Sequence, residues 1–255
     1  MARFAPPPTL HPPPSPAGPR LPTGQPEADR HLSGGLKPHA LHELAPATPA
    51  ASAAAAAFAA RLAARAAGTC GHVLWCRPPA RPAPFPPGLA GLGLDPARTL
   101  FAEAPEPTQR LMALEEAAPA FAAVVAELDL PPALRMLASR RLQLLAERTR
   151  ALVLWLARTP CDSPSAAETR WRIAPEPCAL PALRPLFPGP GGVGLGPRRL
   201  RLELVRARGL PAGYCWILEM ADDATLPPAA GAVAAALADR SPEACGTPGR
   251  SAAAA

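Results

Sequence analysis

Three short, almost uninterrupted apolar runs set the strongest limit on how this chain can fold: "HVLWC" (72–76), "FAAVVAEL" (121–128) and "ALVLWLA" (151–157). A strand with one wet face alternates apolar and polar residues. A run that is apolar at every position is covered on both faces, which is the situation of a parallel sheet packed between helices. The segments that separate or flank these runs have helical length and composition, "TQRLMALEEAA" (108–118) and "PALRMLASRRLQLLAERT" (132–149), while "HALHEL" (39–44) and "TLFAEA" (99–104) read as further strands. Strands alternating with helices predict an α/β fold on a mainly parallel sheet flanked by helices. The alanine-rich stretch 50–67 is expected to be helical, with Thr48 as N-cap, Pro49 in the first helical position, and Phe58 and Leu62 one turn apart as its buried stripe.

Beyond residue 157 the pattern changes. "TRWRI" (169–173) reads as a short strand and 174–197 as a long Pro/Gly loop. "LRLELV" (200–205) and "GYCWILEM" (213–220) flank a turn and read as a β-hairpin, and 227–240 as a closing helix. Ten of the 39 prolines precede Asp29, so residues 1–28 are expected to be a disordered arm, 29–240 the folded domain and 241–255 a disordered tail.

No apolar run approaches the roughly 20 residues that span a bilayer, and no charged start leads into a signal-like segment, so a soluble cytoplasmic chain without membrane contact is expected. The six cysteines contain no C-x-x-C pair, which argues against a disulfide scaffold or a zinc ribbon. A mixed site could be drawn from His39, His42, Cys70, His72 and Cys76 only if their strands were neighbours; otherwise the cysteines pack as small hydrophobes.

The basic charge is almost all arginine, 25 against the single Lys37, and between Pro131 and Leu210 fourteen arginines face five acids. Such a field suits nucleic acid or an acidic partner, although arginine-rich composition also follows from GC-rich coding. Two clusters stand out. Arg170, Trp171 and Arg172 could stack a base and hold its phosphates, or could be a strand with Trp171 buried and both arginines on the solvated face. Arg140 and Arg141 lie on the helix 132–149, whose Leu137, Leu142, Leu144 and Leu145 give its apolar side; they form either a solvated face or part of a protein interface.

The stretch 41–68 has the layout of a phosphate-binding loop: strand, short loop, long helix. That loop normally reads G-x-x-x-x-G-K-[ST], so that glycine lets backbone N–H groups reach phosphate and lysine neutralises charge. Residues 45–53 contain no glycine, and Lys37 precedes the strand.

Taken together, "PTGQPEADRHLSGGLKPHALHEL" (22–44) and 91–128 resemble the RecA-like core, and "VLWC" (73–76), "SRRLQLLAE" (139–147), "SAAETRWRIAPEP" (165–177) and "RLRLELVRARGLPAG" (199–213) resemble segments of the ImuA family, accessory proteins of bacterial damage-induced mutagenesis. The resemblance implies a RecA-like core with a C-terminal hairpin plus helix. It also implies a role in translesion synthesis, bridging an ImuB-type polymerase homologue and a DnaE-type polymerase to RecA or single-stranded DNA. A SulA-like inhibitor of FtsZ is the alternative. A RecA-type catalytic glutamate would follow "HVLWC", yet no carboxylate lies between Glu43 and Asp95. The metal-side position falls near Glu127 and Asp129, where Glu127 reads as a strand-end carboxylate facing solvent. The expectation is a nucleotide-binding frame without nucleotide chemistry: no enzyme, and no bound cofactor.

Overall fold

A computed structural model of the chain describes residues 19–160, 163–177 and 198–220. Its centre is an eight-stranded sheet. The strands are β1 (Leu41–Pro46), β2 (Val73–Arg77), β3 (Thr99–Glu103), β4 (Ala123–Glu127), β5 (Leu152–Leu156), β6 (Thr169–Glu176), β7 (Arg198–Ala207) and β8 (Tyr214–Met220). They lie in the order β3-β2-β4-β5-β1-β6-β7-β8. The six strands from β3 to β6 pair in parallel, and β7 and β8 add antiparallel. The helices are α1 (Pro26–His31), α2 (Ser52–Ala67), α3 (Pro86–Ala90), α4 (Pro107–Ala117) and α5 (Pro132–Thr149). The fold class read from the apolar runs is the one observed.

Alternation along the buried strands divides the core into two layers. Leu44, Val73, Trp75, Val125, Leu154, Trp171 and Leu202 face α2, whose Phe58 and Leu62 are fully buried among them. Leu41, Leu74, Cys76, Val124, Val153 and Trp155 face α4 and α5, where Leu114, Leu142 and Leu145 meet them. Burying each such side chain contributes about 1.5–3 kcal/mol, which is what settles the apolar faces of the helices on the sheet.

Order begins before the boundary expected at Asp29. Leu21 bridges Leu36, and the Asp29 carboxylate accepts from the Thr23 N–H and Oγ1–H, both at 2.7 Å, and from the Gly24 N–H at 3.3 Å. Proline content suggested a disordered arm up to residue 28, but Leu21 and Ala28 are core residues. Gly35, at φ +123°, lets the chain pass so closely that an added Cβ would sit 2.3 Å from the Leu21 carbonyl oxygen. The Thr-Gly, Asp and Gly-Gly-Leu signature therefore ties a strap across the start of the domain.

Two further details differ from expectation. Thr48 and Pro49 start a 3-10 turn (Pro49–Ala51) that merges into α2, and Thr48 makes no side-chain capping bond. Strand β6 runs on to Glu176, because β7 pairs with its whole length across a bulge at Arg170/Trp171. The helix expected at 227–240, the tail 241–255 and most of the loop 174–197 lie outside the described residues. Among the described residues no helix is long and apolar enough to cross a membrane.

Candidate functional site

In an open parallel sheet, ligands bind beyond the carboxyl ends of the strands, and here that edge holds the loop after β1 and the ends of β2, β3 and β4. The loop is not shaped to hold phosphate. Pro46 and Pro49 have no N–H, and the Ala47 N–H is spent on the Ile173 carbonyl at 2.7 Å. No described residue between 36 and 67 has positive φ, the backbone turn that gathers successive N–H groups into an anion nest.

The carboxylates at the strand ends are already neutralised. Glu127 is buried rather than facing solvent: it accepts from the Trp75 indole N–H at 2.8 Å and pairs with Arg81 at 2.8 Å. The same Arg81 guanidinium also pairs with Asp129, whose other oxygen accepts from the Arg158 N–H at 3.2 Å. Beside them Arg77 pairs with Glu103 and donates to the Arg81 carbonyl. Arginine stands where a magnesium–nucleotide pair would need free carboxylate oxygens. The residues present do not fit the nucleotide that a RecA-like frame implies.

The cluster at β6 is also not what its sequence suggested. Trp171 is wholly buried, packed against Phe58 (6.1 Å) and Trp216 (6.2 Å), and offers no face to a base. Its indole N–H donates to Thr169 Oγ1 at 2.7 Å. Thr169 Oγ1 contacts His42 Nδ1, and His42 Nε2 reaches the Lys37 carbonyl, both at 2.8 Å. A carbonyl only accepts, so Nε2 carries the proton and Nδ1 accepts from Thr169. Burial lowers the pKa of His42 from 6.5 to about 4, so the ring is neutral.

Arg170 is on the face opposite Trp171, as alternation requires, but that face is covered. On one rung of the sheet Trp155, Glu43 and Arg170 lie side by side. Arg135 descends from α5, placing its guanidinium 4.5 Å from the centroid of the Trp155 ring and pairing with Glu43. Arg170 donates to Glu43 at 3.0 Å and to the Ser163 carbonyl at 2.7 Å. The result is a buried Arg–Glu–Arg triad, a structural element that nucleic acid cannot reach. Arg172 is half-buried and pairs with Glu203 at 3.1 Å. The base-clamp reading of residues 170–172 is therefore corrected: the three side chains serve three different environments.

The metal drawing fails on topology. His42 and Cys76 belong to β1 and β2, which β4 and β5 separate. Burial pushes the Cys76 thiol up to about 11. His39, Cys70 and His72 are exposed at strand entrances.

On α5 the leucines divide between two faces. Leu142 and Leu145 are core residues, whereas Leu137 and Leu144 are 60% and 64% exposed. Leu134 joins them from the first turn and Met112 from α4. Arg141 clamps the two helices together through Glu115, at 2.7 and 2.6 Å, and Arg140 is exposed beside it. The sequence put Leu137, Leu142, Leu144 and Leu145 on one apolar side; only Leu142 and Leu145 turn inward, beside Ala138, because Leu137 and Leu144 lie on the outer face of the helix.

No family model matches the chain. Two proteins named Protein ImuA, from two strains of Caulobacter vibrioides, are 39% identical to it over 163 residues, covering 58% of this chain and 60% of theirs. The chain thus spans about 60% of the length of the curated relatives it matches. Among solved structures, the RadB recombinase superposes with a TM-score of 0.52 at 17% identity, covering 79% of this chain and 96% of that one, a likeness of fold alone. Over the 163 residues that they share, the chain is similar to these ImuA proteins, and its fold is RecA-like.

Proposed function

We propose that this chain is a non-enzymatic adaptor in the DNA damage (SOS) response. It supports error-prone translesion synthesis by joining an ImuB-type polymerase homologue and a DnaE-type polymerase to RecA or DNA. The observation that carries the reading is Arg81 seated between Glu127 and Asp129 at the strand ends. With those carboxylates committed to arginine, the frame offers surfaces rather than phosphoryl-transfer chemistry.

The outer face of α4 and α5 is the seat assigned to the ImuB-type partner. Four large apolar side chains, Met112, Leu134, Leu137 and Leu144, lie there exposed. Arg140 stands beside them as a cation for the polar rim.

Calorimetric titration with Mg-ATP is expected to give no affinity tighter than about millimolar, and hydrolysis no faster than background. Micromolar binding would remove the adaptor reading. Deletion of the gene is expected to abolish damage-induced mutation while division stays normal. Filamentous cells on overexpression, with unchanged mutation rates in the deletion strain, would instead assign the chain a SulA-like role.

A further inference from the structure

The arginine surplus of the second half is not spread evenly over the fold. The edge of the sheet opposite the filled nucleotide position is made by the entrances of β5, β1 and β6 and the exit of β7. Arg148 and Arg150 end α5 just before β5, Lys37 precedes β1, and Arg206 and Arg208 leave β7. The antiparallel Leu21–Leu36 bridge sets Arg20 beside Lys37. Both cations lie near enough to His42, at the entrance of β1, to disfavour its protonation.

Arg148, Arg150, Lys37, Arg206 and Arg208 are exposed and Arg20 is partly so. Against these six cations the rim carries two acids among the described residues, Glu147 and Glu168. Glu168 pairs with Lys37, and Glu147 accepts from the Gln143 amide at 2.7 Å. Arg206 donates to the Ser165 carbonyl at 2.6 Å, which leaves its charge uncompensated. Arg148, Arg150 and Arg208 have no carboxylate within ion-pair distance among the described residues.

A cation at the end of α5 has a purely local explanation, since it complements the helix dipole. That explanation covers Arg148 and the C-cap Arg150 and stops there. It does not account for Arg20, Arg206 or Arg208, which come from other elements and converge on the same edge.

We infer that this rim binds the phosphodiester backbone of nucleic acid. Four strands at about 4.8 Å separation extend the rim over roughly 14 Å, along which Arg148, Arg150, Arg206 and Arg208 offer about four phosphate contacts. The rim has no exposed aromatic among the residues named here, so it tracks the backbone and does not read sequence. It is separate from β6 residues 170–172, and it stands independently of the adaptor reading: a chain that binds no polymerase homologue could still hold DNA here, and one that binds ATP could as well.

The test uses the full chain and fluorescence anisotropy of a labelled oligo-dT strand, with a duplex of equal length as a second probe, across a salt series. Four contacts give a log–log slope of roughly −3 on the single strand and about −3.6 on the duplex. The double variant Arg150→Asn/Arg208→Glu removes two of them. Asparagine tolerates the left-handed backbone at 150, where φ is +59°. The single-strand slope should flatten by about 1.4, and affinity at 0.1 M salt should fall roughly 25-fold, this being 1.4 decades over the tenfold from 1 M. Arg201→Gln, on β7 where it pairs with Glu176 away from the rim, should leave both unchanged, and circular dichroism confirms that each variant is folded. Three results would overturn the inference: no binding to either probe at 50 mM salt, equal binding by the folded rim variant, or binding of polyglutamate in place of both nucleic acids.

Discussion

Replacing Arg170 by methionine separates a structural arginine from a DNA-contacting one. Arg170 is 8% exposed and holds Glu43, itself 1% exposed, at 3.0 Å. Truncating one member of a buried ion pair costs about 3–5 kcal/mol, because the remaining charge loses its partner. Here Arg135 still pairs with Glu43, so the lower end applies, about 3 kcal/mol. In a domain of about 200 residues that lowers Tm by roughly 6–12 °C. Glu43→Gln leaves two buried guanidinium groups without their shared carboxylate and should be worse, whereas replacing all three by apolar residues of similar volume should recover much of the loss. Urea unfolding followed by circular dichroism gives the numbers. An Arg170→Met protein as stable as the parent to within about 0.5 kcal/mol, the range of surface substitutions, would refute the buried triad and return Arg170 to the surface.

His42 should make the domain acid-sensitive. Its pKa is about 4 in the fold against 6.5 unfolded, so the unfolded chain takes the proton first and stability rises with pH between those values. About 3 kcal/mol should be lost on acidification through that window, and His42→Gln should flatten the profile in urea titrations at pH 4–7. Leu137→Asp/Leu144→Asp, both on the outer face of α5, should change stability by no more than about 0.5 kcal/mol per site yet abolish co-purification with an ImuB-type partner; retained capture would exclude that face.

How far the sequence could be read follows from which distances each inference needed. Apolar runs revealed the parallel strands because burial on both faces is a local property of five residues, and "VLWC" and "LVLW" sit within β2 and β5. The triad could not be read, since it depends on the order β5-β1-β6, which brings together residues 43, 135, 155 and 170. Alternation correctly put Arg170 and Trp171 on opposite faces, but could not show that α5 roofs the arginine side. Glu127 looked solvated because a strand end usually is; Trp75 and Arg81, about fifty positions away, close over it. Proline content hid the start of the domain, where Leu21 is anchored by pairing with Leu36 rather than by composition.

The guanidinium between Glu127 and Asp129 also makes the arrangement hard to reverse one residue at a time. Removing Arg81 alone exposes two neighbouring acids to each other and leaves Glu127 with only the Trp75 indole, a loss of stability with no lysine or glycine loop to use the freed oxygens. Adding lysine after β1 alone places it behind Pro46 and Pro49, with Arg81 still in position. Each single step is unfavourable or without effect, so the strand-end ion pairs act as a ratchet.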